Sequence, residues 1–339
     1  MTVSPRRRRA APPAALAALV GLGLAAVALA HLGPHNVVRA LVGVRLGWLA
    51  LAAALMVLSL VTRALSWLVV LRAALPAAEV PAPVVLRGTM IGVMVSAVFP
   101  GRLGEAARAI VVARRVGALS VVAGTILSQT MLNLVALVAL GTAVITSTGA
   151  LSAPVGALVA LSAPVALVGL MLVAPGALRR AGRHGPLRLR RALARAALEL
   201  VRVRAGLRVF RHPREGVAAT LAQFAAWVLQ VLSAYLVLQA LGLQHTAGLA
   251  GAAAVIVAVN VTAVVPVTPS NVGVFQAACV AVLAGFGVPG GHALAFGIVL
   301  QAVEVITAVG LGLPALAAEG MSWSQVRRGS ATPISMPRE

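Results

Sequence analysis

The chain has 339 residues, of which 60% are hydrophobic, 10% charged and 3% aromatic. Soluble domains carry about 25% charged and about 45–50% apolar residues, so this balance excludes an ordinary soluble domain. The formal net charge is +21, with every basic residue Arg and every acid Glu. Nucleic-acid binding would need a soluble basic face with stacking aromatics; here aromatics are scarce and most arginines flank apolar runs.

Long apolar stretches recur from Ala14 to Ala318. Backbone groups in lipid must be satisfied internally, and the period-two alternation of a membrane barrel is absent. The fold expected is therefore an all-α integral membrane protein. In chain order, 1–12 is a basic arm carrying Arg6 to Arg9. The run 13–32 is long for a signal-peptide core and reads as a retained first helix rather than a cleaved leader. Further full spans are expected at 48–71, 119–146, 152–175, 216–241 and 292–318, about six in all. Two other apolar stretches are interrupted: 84–115 at Pro100-Gly101, and 247–286 across "VVPVTPSNVGVF". The segment 176–214 is rich in Arg with interleaved Leu, which fits either an amphipathic helix on the membrane surface or a solvated loop. The transmembrane domain is taken as 13–318 and a C-terminal tail as 319–339.

The positive-inside rule tests the interrupted stretches. Arg6 to Arg9 place the N-terminus in the cytoplasm, and the second span returns near Arg72. If 84–100 were one ordinary span, Arg102, Arg108, Arg114, Arg115 and then 176–214 would all lie outside. An excursion that enters and comes back puts both clusters inside. The same reasoning makes 247–286 an excursion from the opposite face and brings Arg327 and Arg328 inside. Parity does not separate a re-entrant hairpin from two short spans.

The two excursions resemble each other. "VSAVFP" (95–100) and "VTAVVP" (261–266) precede the breaks. Each break leads to a Gly, an apolar helix and a span with a Gln expected to be buried, Gln129 or Gln301. The fold expected is thus about six full helices plus two broken hairpins forming an inverted repeat, whose interrupted segments point to a midplane binding site.

A proline removes an amide donor and frees a carbonyl upstream. A helix restarting near Leu103 presents free amides and the positive end of its dipole, with Arg102 beside it. With Gly104 and Arg108 this makes a site suited to phosphate. Glu105 lies three residues before Arg108 on the same face. It balances the arginines or carries a proton or counter-cation. At the second break Thr268, Ser270 and Asn271 are expected to cap a helix starting near Asn271, ahead of Gly273, with Gln276 one turn in. Glu304 sits mid-span and must face the interior, with Arg63 its expected partner. Gln129, Gln276 and Gln301 would complete a polar lining, while Asn133 reads as helix-to-helix bonding.

No catalytic set is legible. The chain has no Lys, hence no phosphate-binding Walker loop, and no Asp for an aspartyl-phosphate. Its six His are scattered without metal-ligand spacing. The single cysteine, Cys279, forms no internal disulfide and reads as a small buried hydrophobe. No cofactor, no metal and no enzymatic activity are expected.

"FPGRLGEAARAIVVARR" and "VVPVTPSNVGVFQAACVAVLAGFGV" resemble the lysylphosphatidylglycerol synthase transmembrane-domain family, the flippase-like membrane part of bacterial multiple-peptide-resistance factors. The resemblance spans roughly 45–318. Pro100, Arg102, Gly104, Glu105 and Arg108 occupy the family's proline, arginine, glycine, acid and arginine positions. Pro269, Gly273 and Phe275 match the second motif, but Ser270-Asn271 stand where Gly-Gly is favoured, and Gln276 where Glu is common. The resemblance implies a bacterial cytoplasmic membrane protein that moves a phospholipid or lipid-linked headgroup between leaflets, with both termini cytoplasmic. It does not imply aminoacyl-lipid synthesis, which belongs to a separate soluble domain. Membrane lipids are the expected partners and nucleic acid is not. The alternative is a non-transporting membrane partner that recruits a glycosyltransferase or lipid-modifying enzyme through 176–214.

Overall fold

The computed structural model describes residues 43–98, 103–147, 205–263 and 271–320. The expected spans 13–32 and 152–175, the arm 1–12, most of 176–214 and nearly all of the tail 319–339 lie outside the described residues. Among the described residues the structure is helical. The helices are α1 (Leu46–Ala74), α2 (Ala82–Val98), α3 (Leu103–Val116), α4 (Leu119–Ser147), α5 (Pro213–Ala240), α6 (Gln244–Thr262), α7 (Val274–Ala284) and α8 (Gly290–Ala318). A short 3-10 helix, Gly206–Arg211, precedes α5.

Helices α1, α4, α5, α6 and α8 are long and apolar enough to cross a membrane. Four of these lie on expected full spans. The fifth, α6, was expected only as a limb of the second excursion, so the count differs from the sequence reading there. It is not one straight rod: Gly248 has φ 59°, which breaks the helix after its first turn. The uninterrupted part, 249–262, is about 21 Å long at 1.5 Å per residue.

The first broken segment folds back on itself. Gly88 faces Val111 and Val112, and Gly92 faces Gly104 and Arg108, so α2 and α3 run antiparallel. At 17 and 14 residues they are about 25 and 21 Å long, short of the roughly 30 Å hydrocarbon core. Their approach depends on glycine. A Cβ on Gly104 would overlap the Gly92 carbonyl oxygen and Ser96 Oγ. The second pair, α6 and α7, also doubles back, with Gly251 against Leu283 and Phe286; α7 has only 11 residues.

The hairpins enter from opposite ends of the bundle. The open end of α2–α3 lies with Arg72, Arg87, Arg114 and Arg115, beside Arg208, Arg211 and Arg214 at the start of α5. There Glu319, just past α8, pairs with Arg87 at 2.6 Å and Arg115 at 3.7 Å, tying both limbs to α8. The open end of α6–α7 lies at the other face, where Arg45 N donates to the Ala240 carbonyl at 3.1 Å. Among the described residues α8 packs on α2 and α7, and α4 packs on α3 and α6. These long helices stand between the two hairpins.

The most extensive helix pair is α1 with α5. Ser59 Oγ donates to the Ala226 carbonyl at 2.7 Å, Ser66 Oγ to Ala219 at 2.8 Å, and Ser233 Oγ to Ala52 at 2.8 Å. Ala52, Ser59 and Ser66 recur every seven residues, as do Ala219, Ala226 and Ser233, and they meet in antiparallel register. A seven-residue repeat keeps one seam facing its partner. Small side chains there let the backbones approach, which drives helix association where lipid supplies no hydrophobic force.

The end of 176–214 is described from 205 on, where the 3-10 helix exposes Arg208, Phe210 and Arg211 and turns its other side inward. Leu207 and Val209 are buried, Ser128 Oγ donates to the Gly206 carbonyl at 2.8 Å, and a Cβ on Gly206 would overlap the α4 backbone at Gly124.

Gly104→Ala is expected to destabilise the protein by about 1–3 kcal/mol through overpacking. Gly310→Ala, where an added Cβ meets nothing within 4 Å, is expected to be neutral. Unfolding of the purified variants in detergent measures both. In the α1–α5 seam, Ala226→Leu is expected to cost about 1–3 kcal/mol by forcing the backbones apart. Ser59→Ala, which loses only one hydrogen bond, should cost about 0.6 kcal/mol.

Candidate functional site

Arg108 is placed by α3, whose buried Ala107, Val111 and Val112 fix that face of the helix inward. Its guanidinium has three partners. Nη1 donates to Gln129 Oε1 on α4 at 2.7 Å. Nη2 pairs with Glu105, one turn earlier. The planar group lies over the ring of Trp67 on α1, 4.8 Å from its centroid, a cation–π arrangement. Trp67 is itself fixed, fully buried with Nε1 donating to Thr125 Oγ1 at 3.0 Å.

Gln129 links this group to the next. Its Nε2 donates to the backbone carbonyl of Arg63 at 3.0 Å. Arg63 stands one turn before Trp67 on the same face of α1. Its Nη2 donates to Gln230 Oε1 on α5 at 3.2 Å. Glu304 on α8 lies against the Gln230 side chain and within electrostatic reach of Arg63. One turn before Glu304 is Gln301, which accepts a hydrogen bond from Gln276 Nε2 on α7. Gln276 Oε1 in turn accepts from Gly273 N at 2.7 Å.

The result is a polar chain through the apolar bundle, linked from Glu105 through Arg108, Gln129, Arg63 and Gln230 to Glu304, and from Gln301, one turn before Glu304 on α8, through Gln276 to the Gly273 amide. It holds two arginines and two glutamates, so its formal charges balance. Gln129 and Gln276 each use both ends of the amide, as buried polar groups tend to. The two ends share one arrangement: the polar residue of each hairpin's second limb bonds the glutamine of the long helix that follows, Arg108 to Gln129 and Gln276 to Gln301.

Most of the residues singled out in the sequence are thus brought together, including Glu304 and Arg63 with Gln230 between them. Gly104 stands apart from the chain, buried in the α2–α3 contact, where its missing side chain serves packing. Arg102 and Ser270 lie outside the described residues, as does Thr268. The helix expected near Asn271 starts at Val274 instead. Asn271 and Gly273 have φ 52° and 88°, left-handed values that cannot extend a right-handed helix. The cap comes from Gln276, reaching back to the Gly273 amide, rather than from Asn271. Asn133 bridges helices: its Oδ1 accepts from Gln223 Nε2 at 2.7 Å and Trp227 Nε1 at 3.0 Å.

Two members were missed in the sequence. Gln230 is one of three glutamines in the apolar span 216–241, with Gln223 and Gln239, so nothing in the sequence singled it out. Trp67 follows Arg63 by four residues, and that spacing puts both on one helix face. Nothing in the sequence places Arg108 above its ring.

Long apolar helices, two hairpins and a set of polar side chains between them define a multi-pass helical membrane protein. Residues 14–312 match the lysylphosphatidylglycerol synthase TM region family. The chain belongs to that family, which is a membrane domain. Comparison with curated proteins gave no match, and comparison with solved structures gave none.

Gln276→Ala removes the α7 cap and the hydrogen bond to Gln301 Oε1, so an unfolding free-energy loss of about 1–2 kcal/mol is expected. Gln276→Glu keeps the acceptor for the Gly273 amide but buries a carboxyl group against Gln301 Oε1, so it should lose more. Parallel detergent unfolding of the two variants checks the order.

Proposed function

We propose that this protein moves a phospholipid or lipid-linked headgroup between membrane leaflets. The observation that carries this reading is the connected polar chain, flanked by hairpins that enter from opposite faces and whose second limbs are too short to cross. Ionisable groups at membrane depth cost about 2.5–3.5 kcal/mol each on insertion scales and are retained mainly for function. A bundle that only needed to fold would fill these positions with apolar side chains.

On this reading the arginine-rich end is cytoplasmic, by the positive-inside rule, and the membrane is a bacterial cytoplasmic membrane. The hairpins are re-entrant halves of an inverted repeat, and the shared Arg108–Gln129 and Gln276–Gln301 pattern supports that relation. Helix α3 begins inside the bundle, so its positive dipole end and its free amides face the break. Arg102 and Arg108 hold the headgroup phosphate there, with Ser270, Asn271 and Gly273 lining the opposite break. The acyl chains remain in the bilayer. Glu105 and Glu304 balance charge or carry a coupled proton, and alternating access follows from movement of one half against the other.

Translocation of a fluorescent phospholipid in proteoliposomes tests the assignment. Arg102→Ala, Arg108→Gln and Glu304→Gln are each expected to lower the rate about tenfold or more while the proteins remain monodisperse. Wild-type rates in all three would sink it.

A further inference from the structure

Arg63 and Arg108 share a feature that the polar chain does not explain. Each has a buried Nε–H with no hydrogen-bond partner among the described residues. Arg108 commits Nη1 to Gln129 and Nη2 to Glu105, and Arg63 commits Nη2 to Gln230. Buried donors are almost always paired, and an unpaired one next to a charge is costly. Two such donors on neighbouring guanidiniums point to a ligand.

The two arginines are neighbours in the fold: Arg63 and Trp67 share a face of α1, Arg108 stacks over Trp67, and Gln129 bonds the Arg108 guanidinium and the Arg63 backbone carbonyl. Arg108 is 8% exposed and Arg63 partly exposed, and both Nε atoms lie buried. Guanidinium donors on two separate side chains match an acceptor with at least two oxygens, which phosphate supplies. The set is neutral with both glutamates ionised, so the free donors, rather than net charge, make the attraction.

We infer that Arg63 and Arg108 form an intramembrane anion site that takes a phosphate group through their two free Nε–H donors. This gives Arg63 a ligand-binding part in place of a purely charge-balancing one. It rests on the lipid-transport reading only for the source of the phosphate; the site itself takes either a phosphodiester headgroup or free phosphate.

Thermal unfolding of the full chain in detergent tests the site with three probes: dioctanoyl phosphatidylglycerol, inorganic phosphate and dioctanoylglycerol. The phosphatidylglycerol is expected to raise the midpoint, and dioctanoylglycerol to leave it unchanged. Arg63→Gln should raise the half-maximal phosphatidylglycerol concentration about tenfold or more, as loss of a charged hydrogen bond implies. Arg63→Lys keeps the charge and the stem but lacks Nε–H, so it decides the matter if the Gln variant does not elute as a monodisperse peak; the same tenfold loss is expected. An equal shift with inorganic phosphate supports the site and assigns it to the free anion. Equal stabilisation by dioctanoylglycerol, or an unchanged concentration dependence in Arg63→Lys, overturns it. Binding without translocation by the wild type would remove the transport reading and leave the site standing. Translocation without phosphate-dependent stabilisation would do the reverse.

Discussion

The buried guanidinium of Arg108 sets terms that the surrounding helices have to meet. Water cannot solvate it inside the bundle, so its charge and its donors must find partners in the protein. Glu105 supplies charge, Gln129 an acceptor and Trp67 a ring face. Each partner then makes its own demand. Trp67 needs Thr125 for its N–H, and Gln129 uses its amide on the Arg63 carbonyl. The demand passes along α1, α5 and α8 until it ends at the Gly273 amide. Five long-range contacts of this kind fix the relative rotation of helices that apolar packing alone would leave free to turn.

Close backbone approach makes that chain reachable. Gly92 and Gly104 bring α2 against α3, and the seven-residue series of Ala and Ser brings α1 against α5. Larger residues at those points would hold the helices apart by an ångström or more, beyond the reach of a 2.7–3.2 Å hydrogen bond. Small residues and polar residues therefore act together. The first set the spacing, and the second use it.

The two hairpins give this interior its direction. Each enters from one face and turns back, and each hands a polar side chain to the long helix after it. Because α4 and α8 stand between the hairpins among the described residues, the link between them runs through side chains on long spans. Arg63 lies near the middle of that link and is partly exposed.

The sequence by itself determined the class of fold, the two interrupted segments and most of the polar residues. Composition and helix-length runs follow from the bilayer's thickness and its intolerance of unpaired backbone groups. A lone Gln, Glu or Arg in an apolar run is visible for the same reason. The return of 84–115 to its starting face was legible from the distribution of arginines. The tertiary structure alone decided which polar residue meets which. The linkage of Arg63 to Glu304 through Gln230, the stacking of Arg108 on Trp67, the cap on α7 from Gln276 and the seam of Ser59, Ser66 and Ser233 all join residues far apart in the chain. Helical periodicity assigns a residue to a face of its own helix, but it carries no information about which other helix that face will meet.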